Sequence, residues 1–173
     1  MILNDYILKS IIYGGIDGII TMFNIVAGVT GAQLNPRYIF ILGLAILISD
    51  GMSMGISDYL SLKADIKYKK KNDNLEKTVQ KVNPINNGII TFSSFVIFGF
   101  IPIFIYFFMN GTNKSNNIMK IFISIIVALY FLGIVQSKYT NEKWYVSGSK
   151  LAVFGGATSF VSFNISKIIM KII

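Results

Sequence analysis

The chain contains neither cysteine nor histidine. That double absence removes disulfides, thiol nucleophiles, Cys- or His-based zinc sites and every catalytic triad that relies on imidazole. Charge is also scarce: 14% of the residues are Asp, Glu, Lys or Arg, against roughly 25% in ordinary soluble domains. No G-x-G-x-x-G and no Walker-type lysine loop occurs, so nucleotide chemistry has no footing. The opening Met1–Ser10 carries Asp5 and Lys9. It lacks a basic start, a compact apolar stretch and a small-residue cleavage site, so no cleaved signal is expected.

What the chain has in abundance is apolar surface. Hydrophobic residues make up 53% of its 173 positions. A soluble domain of this size cannot hide that much, whereas a bilayer supplies the missing apolar solvent. Crossing the hydrocarbon core as a helix takes roughly 17 to 25 residues. Five stretches qualify: 11–34 with the single charge Asp17, 38–62 with Asp50 and Asp58, 87–109 with none, 118–137 with Lys120 near one end, and 148–169, whose uncharged part is limited by Lys150 and Lys167. The expected fold is an all-α integral membrane protein of five transmembrane helices, one membrane domain over residues 1–173. Pro36 sits in the tight link between the first two spans, and Pro102 is expected to kink the third. Residues 63–86 form the one sizeable polar linker. Leu62, Ile66, Leu75, Val79 and Val82 recur there at irregular helical spacing, which predicts that the second helix extends past the membrane before stopping near Pro84.

The net charge of +8 does not describe a nucleic-acid face, because seven of the sixteen basic residues lie between Lys63 and Lys81. They read instead as a topology signal. With a cytosolic N-terminus, that side holds Lys9, those seven, Lys138, Lys143 and Lys150, eleven in all; Arg37, Lys114, Lys120, Lys167 and Lys171, five, fall opposite. The linker is then cytosolic, facing anionic headgroups, and the sequons at Asn110 and Asn113 are not cytosolic.

A carboxylate inside a span costs roughly 2.5 to 3.5 kcal/mol on insertion scales, which makes Asp17 and Asp50 functional candidates. Asp17, Thr21, Asn24 and Gly28 follow at helical spacing and form one polar stripe; Asp50, Met54, Ser57, Asp58 and Ser61 form another. Two facing stripes of oxygen donors with one thioether describe a cation path. Thr21, Ser53, Ser57 and Ser61 equally suit helix-to-helix hydrogen bonding. Asp58 belongs either to the stripe or to a pair with a linker lysine such as Lys63. Met54 alone reads as packing, like Met22 and Met52, but sulfur beside carboxylate suits a transition metal better than Mg²⁺ or Ca²⁺. Gly14 with Gly18, and Gly51 with Gly55, are small-xxx-small pairs that bring backbones together, within a subunit or across a dimer.

Ile16-Asp17-Gly18 through Val26-Ala27-Gly28-Val29-Thr30-Gly31-Ala32 resembles the first-helix signature of the vacuolar iron transporter family. Ser49-Asp50-Gly51-Met52-Ser53-Met54-Gly55, followed by Asp58-Tyr59-Leu60-Ser61, resembles its second-helix signature. Ser94-Phe95, Gly99-Phe100-Ile101-Pro102 and Gly155-Gly156-Ala157 continue the likeness over nearly the whole chain. The resemblance implies a five-helix homodimer that exports Fe²⁺ or Mn²⁺ from the cytosol into a vacuole-like compartment, with protons as counter-ion. The family's first-helix aspartate corresponds to Asp17 and its second-helix methionine to Met54. Two features differ. Where the best-studied branch has a glutamate eight residues before that methionine, this chain has Ile46. That branch's glutamate-rich cytosolic domain is replaced by a linker with Asp65, Asp73 and Glu76 among seven lysines, closer to the shorter relatives.

The combined expectation is a transporter, not an enzyme, with no catalytic residue and no cofactor. Its metal-site candidates are Asp17, Asp50, Met54, Thr21, Asn24 and Asp58. Asp50, four residues beyond Ile46 on the same helix face, is the expected proton carrier. The expected partners are the lipid bilayer, the divalent metal, protons and a second copy packed through the glycine-rich first helix. The linker is expected to bind no metal. The location is a vacuolar or other endomembrane, or a plasma membrane. The rival reading is a scaffold or subunit that keeps the bundle without the transport chemistry.

Overall fold

The structure, a computed structural model, describes residues 2–71, 82–109 and 117–172. Every regular element in it is helical: α1 (Ile2–Gly31), α2 (Arg37–Lys71), α3 (Pro84–Met109), α4 (Asn117–Thr140) and α5 (Trp144–Ile172). Each of the five is long and apolar enough to cross a membrane.

The first reversal is written locally. The Gln33 N–H reaches the Thr30 carbonyl and the Leu34 N–H the Val29 carbonyl, both at 3.1 Å, with Gln33 at φ 54°. This closes α1 with a Schellman-type cap. The Asn35 side-chain oxygen then accepts from the Arg37 N–H at 3.0 Å, with Pro36 supplying a pre-set φ for the first turn of α2. The same Asn-Pro pair opens α3, where Asn83 Oδ1 accepts from the Ile85 N–H at 3.0 Å. That start lies three residues before the apolar stretch at 87–109. α2 runs past Leu62 to Lys71, so the expected extension begins, while the expected course toward Pro84 passes through residues outside the described ones. Residues 72–81, with Asp73 and Glu76, and the sequons at Asn110 and Asn113 lie outside the described residues. α3 continues as one helix through the buried Pro102 to Met109.

α1 is the hub, packed against all four other helices. A Cβ added at Gly14 would come within 2.7 Å of the Thr91 carbonyl oxygen of α3, and one at Gly18 would overlap the Phe95 carbonyl. The glycine-rich face of α1 is therefore used inside the subunit, against α3. The expected dimer contact through Gly18 is corrected on this point, because no space remains there for a second chain. α2 crosses α3 the same way: a Cβ on Gly55 would sit 2.7 Å from the Gly88 carbonyl oxygen.

These close crossings enclose two apolar clusters. One joins Ile19, Phe23 and Val26 of α1 to Ile121, Ile125 and Leu129 of α4. The other joins Met22, Leu47, Phe95 and Ile103, with Met54 packed against it. Met22 is fully buried and is a packing residue. One stripe of α1 stays open: Lys9, Tyr13 and Asp17 are exposed, and Thr21, Asn24 and Gly28 are half-buried. On α2, Ser49, Asp50, Ser53, Ser57 and Ser61 are exposed as well.

Candidate functional site: two carboxylate centres along an open polar face

α1 and α2 place the polar stripes beside each other, and two cavities lie along them. The first, about 470 Å³, is lined by Thr21, Asn24 and Gly28 of α1, Ile46 and Asp50 of α2, and Ser162 and Ser166 of α5. The Ser159 hydroxyl donates to Asn24 Oδ1 at 2.9 Å, and the Ser162 hydroxyl to the Asn24 carbonyl at 2.8 Å. α5 thus fixes Asn24 and presents hydroxyls to the same space. The second cavity, about 320 Å³, is lined by Lys9, Ser10 and Tyr13 of α1, Met54, Ser57, Asp58 and Ser61 of α2, and Thr91 of α3.

Asp17 stands between them. It lies one turn from Tyr13, which lines the second cavity, and one turn from Thr21, which lines the first. Asp50 stands on the neighbouring helix, α2, which packs against α1. Both carboxylates are exposed at the subunit surface. Among the described residues neither accepts a hydrogen bond from another helix, and neither pairs with a lysine or arginine: the two ion pairs there are Lys69–Asp65 and Lys150–Glu142. Two exposed carboxylates on neighbouring membrane-crossing helices, one of them beside a cavity lined by Thr21, Asn24, Ser162 and Ser166, are an arrangement that a cation could neutralise.

Asp58 is different. Its Oδ2 accepts from the Ser10 hydroxyl at 2.9 Å, from Asn87 Nδ2 at 2.9 Å and from the Thr91 hydroxyl. Asn87 also donates to Ser10 at 2.7 Å. One carboxylate oxygen therefore ties α2 to α1 and α3. The alternative pairing with Lys63 is not what forms: the Lys63 ammonium donates to the Tyr59 hydroxyl at 2.7 Å.

The sequence-derived candidates thus divide. Asp17 and Asp50 are both exposed on the open faces of α1 and α2, Thr21 and Asn24 share a cavity with Asp50, and Met54 shares one with Asp58. Among the described residues no group of three or more carboxylates converges. Sequence reasoning missed Ser159, Ser162 and Ser166, although their spacing of three and four marks one face of α5. It also missed Ser10, Asn87 and Thr91, of which the last two sit one turn apart at the start of α3.

Comparison with known proteins places this architecture. A family model described as the VIT family matches residues 8–81 and 69–167. A vacuolar iron transporter of Plasmodium berghei is 27% identical over 217 aligned positions, covering 90% of this chain and 80% of that protein. One from Plasmodium falciparum matches with the same identity and coverage. The vacuolar iron transporter 1 of rice, Oryza sativa subsp. japonica, is 20% identical over 93% of this chain and 84% of its own length. The motifs carrying Asp17, Asp50 and Met54 lie within the first matched segment. With nearly its whole length matched, the chain is a member of the VIT family.

Proposed function

We propose that this protein carries Fe²⁺ or Mn²⁺ across a membrane, out of the cytosol into a vacuole-like compartment or out of the cell, in exchange for protons. The observation that carries this reading is the pair of exposed carboxylates, Asp17 and Asp50, on the open polar face of α1 and α2, neither with a cationic partner among the described residues. Relatives named as vacuolar iron transporters supply the substrate class.

Asp17 and Asp50 bind the cation, and Thr21 and Asn24 offer oxygen atoms on its way. Met54, one turn from Asp50, adds thioether softness that favours a transition metal over Mg²⁺ or Ca²⁺. Asp58 keeps the helices in register at the Lys63 end of the path rather than holding metal. Carboxylates must be ionised to bind metal, so cation affinity is present at higher pH and falls as protons compete. That competition is what exchange requires, with Asp50 as the main proton carrier.

Exposed carboxylates on membrane-crossing helices do not face lipid without large cost. A second copy covers them, through the Tyr13–Asp17 stripe of α1 and the Ser49–Ser57 face of α2 rather than through Gly18. The dimer then encloses the path and doubles its carboxylates. The N-terminus and the basic linker lie on the cytosolic side.

Liposomes holding the purified full-length protein test the reading. Fe²⁺ or Mn²⁺ should enter faster with an opposing proton gradient than without one. Empty-liposome rates for both metals would leave the scaffold reading in its place.

A further inference from the structure

A second kind of site lies on the other side of α2. Met52 and Ile56 are offset by two residues from Asp50 and Met54, roughly 200° round the helix, and Tyr59, three residues beyond Ile56, continues their line. Between them and Ile85, Ile89 and Phe92 of α3 runs a groove of about 510 Å³, within the roughly 300 to 1,000 Å³ of small-molecule sites. It exists because α2 and α3 cross at Gly55 and Gly88, which form its floor, while the exposed Met52, Ile56, Ile85 and Ile89 form its rims. Tyr59 is the one residue with a polar side chain among those lining it.

At Tyr59 the groove meets charge. The Lys63 ammonium lies 5.0 Å from the Tyr59 ring centre and donates to its hydroxyl at 2.7 Å. An ammonium has three N–H donors, so two remain to meet an acceptor from outside. The nearest acids along α2 are engaged elsewhere: Asp65 pairs with Lys69 at 2.9 Å, and Asp58 is held by Ser10, Asn87 and Thr91. Exposed Lys67 and Lys70 follow on the extension of α2 and add positive charge beyond the groove's mouth.

We propose that this groove binds one anionic phospholipid per chain, with an acyl chain lying over Gly55 and Gly88 and a phosphate oxygen accepting from Lys63. The apolar length recognises the chain, and the tethered ammonium recognises the charge. Juxtamembrane lysines attract anionic headgroups in any case. The groove converts that diffuse attraction into a site of fixed stoichiometry. The inference requires only that the helices cross a membrane, and it stands or falls independently of metal transport.

Native mass spectrometry of the full-length protein in detergent, with phosphatidylglycerol or phosphatidylcholine added, tests it. Wild-type protein should retain one phosphatidylglycerol per chain and little phosphatidylcholine. Lys63→Gln should weaken that retention about fivefold, the effect of roughly one near-surface lysine, and Lys138→Gln, at an exposed lysine in the last turn of α4, should leave it unchanged. Dihexanoyl phosphatidylglycerol, which keeps the headgroup but is too short to fill the groove, should be lost. Equal retention of the two headgroups, equal loss in both lysine variants, or full retention of the short-chain lipid would each overturn the proposal. So would a fall in dimer content in Lys63→Gln, which would give the groove to a second copy.

Discussion

Asp58 and the Asp17–Asp50 pair are carboxylates on the same two helices, in opposite surroundings. Around Asp58, three donors from α1 and α3 converge on a single oxygen. Around Asp17 and Asp50, no donor from another helix arrives among the described residues, and both stay exposed. A carboxylate whose lone pairs are taken by neighbouring helices is holding those helices together. Carboxylates left open on membrane-crossing helices are a standing cost that the fold does not relieve, and that cost is what supports the proposal that they receive a cation. Burial follows the same division, with Asp58 half-buried and Asp17 and Asp50 exposed, but it does not say why. The donors do.

The contrast is broken or sharpened by substitution, beginning with the largest effect. Asp17→Asn removes one charge from the open pair without changing its shape. Metal flux into liposomes should fall more than about 100-fold, the upper range for disturbing a metal site's surroundings, while assembly in detergent stays normal. Asp58→Ala should act on the fold instead. It strands the Ser10, Asn87 and Thr91 donors, and stability in detergent should drop by about 3 kcal/mol, read as a lower thermal midpoint. Asp58→Asn keeps an acceptor in place and should recover most of that loss. Gly18→Leu forces a side chain into the Phe95 backbone of α3 and should destabilise the subunit by about 1 to 3 kcal/mol or more. Its signature is a protein that melts early, not a stable monomer freed from a dimer. Ile46→Glu should have the smallest effect on stability, because Ile46 borders the open cavity beside Asp50. Its visible result should be a steeper dependence of metal flux on pH.

Much of this arrangement is legible in the sequence, and the limits follow from physics. The five helices show as apolar runs of spanning length, and the extension of α2 shows in the apolar spacing past Leu62. The Asp17–Thr21–Asn24 and Asp50–Met54 stripes show because helical periodicity is a local property. The partners of Asp58 do not show, since Ser10, Asn87 and Thr91 are 48, 29 and 33 residues away. No period within one helix reports a contact made by three. The use of Gly14 and Gly18 is hidden for the same reason: a small-xxx-small pair fixes that backbones approach, not whose. Met54 is the subtler case. Its spacing from both Asp50 and Asp58 is plain, but which cavity it lines depends on how α1 and α3 pack around it. The serine ridge of α5 is written at spacings of three and four, yet only its contacts with Asn24 give it meaning.

The most direct measurement is equilibrium binding of Mn²⁺ to the purified full-length protein in four forms: wild type, Asp17→Asn, Asp50→Asn and Asp58→Asn. The account predicts that wild type and Asp58→Asn bind with similar affinity, and that Asp17→Asn and Asp50→Asn lose binding. Binding that survives in both Asp17→Asn and Asp50→Asn but vanishes in Asp58→Asn would contradict it, and would move the metal to the carboxylate assigned here to holding the helices.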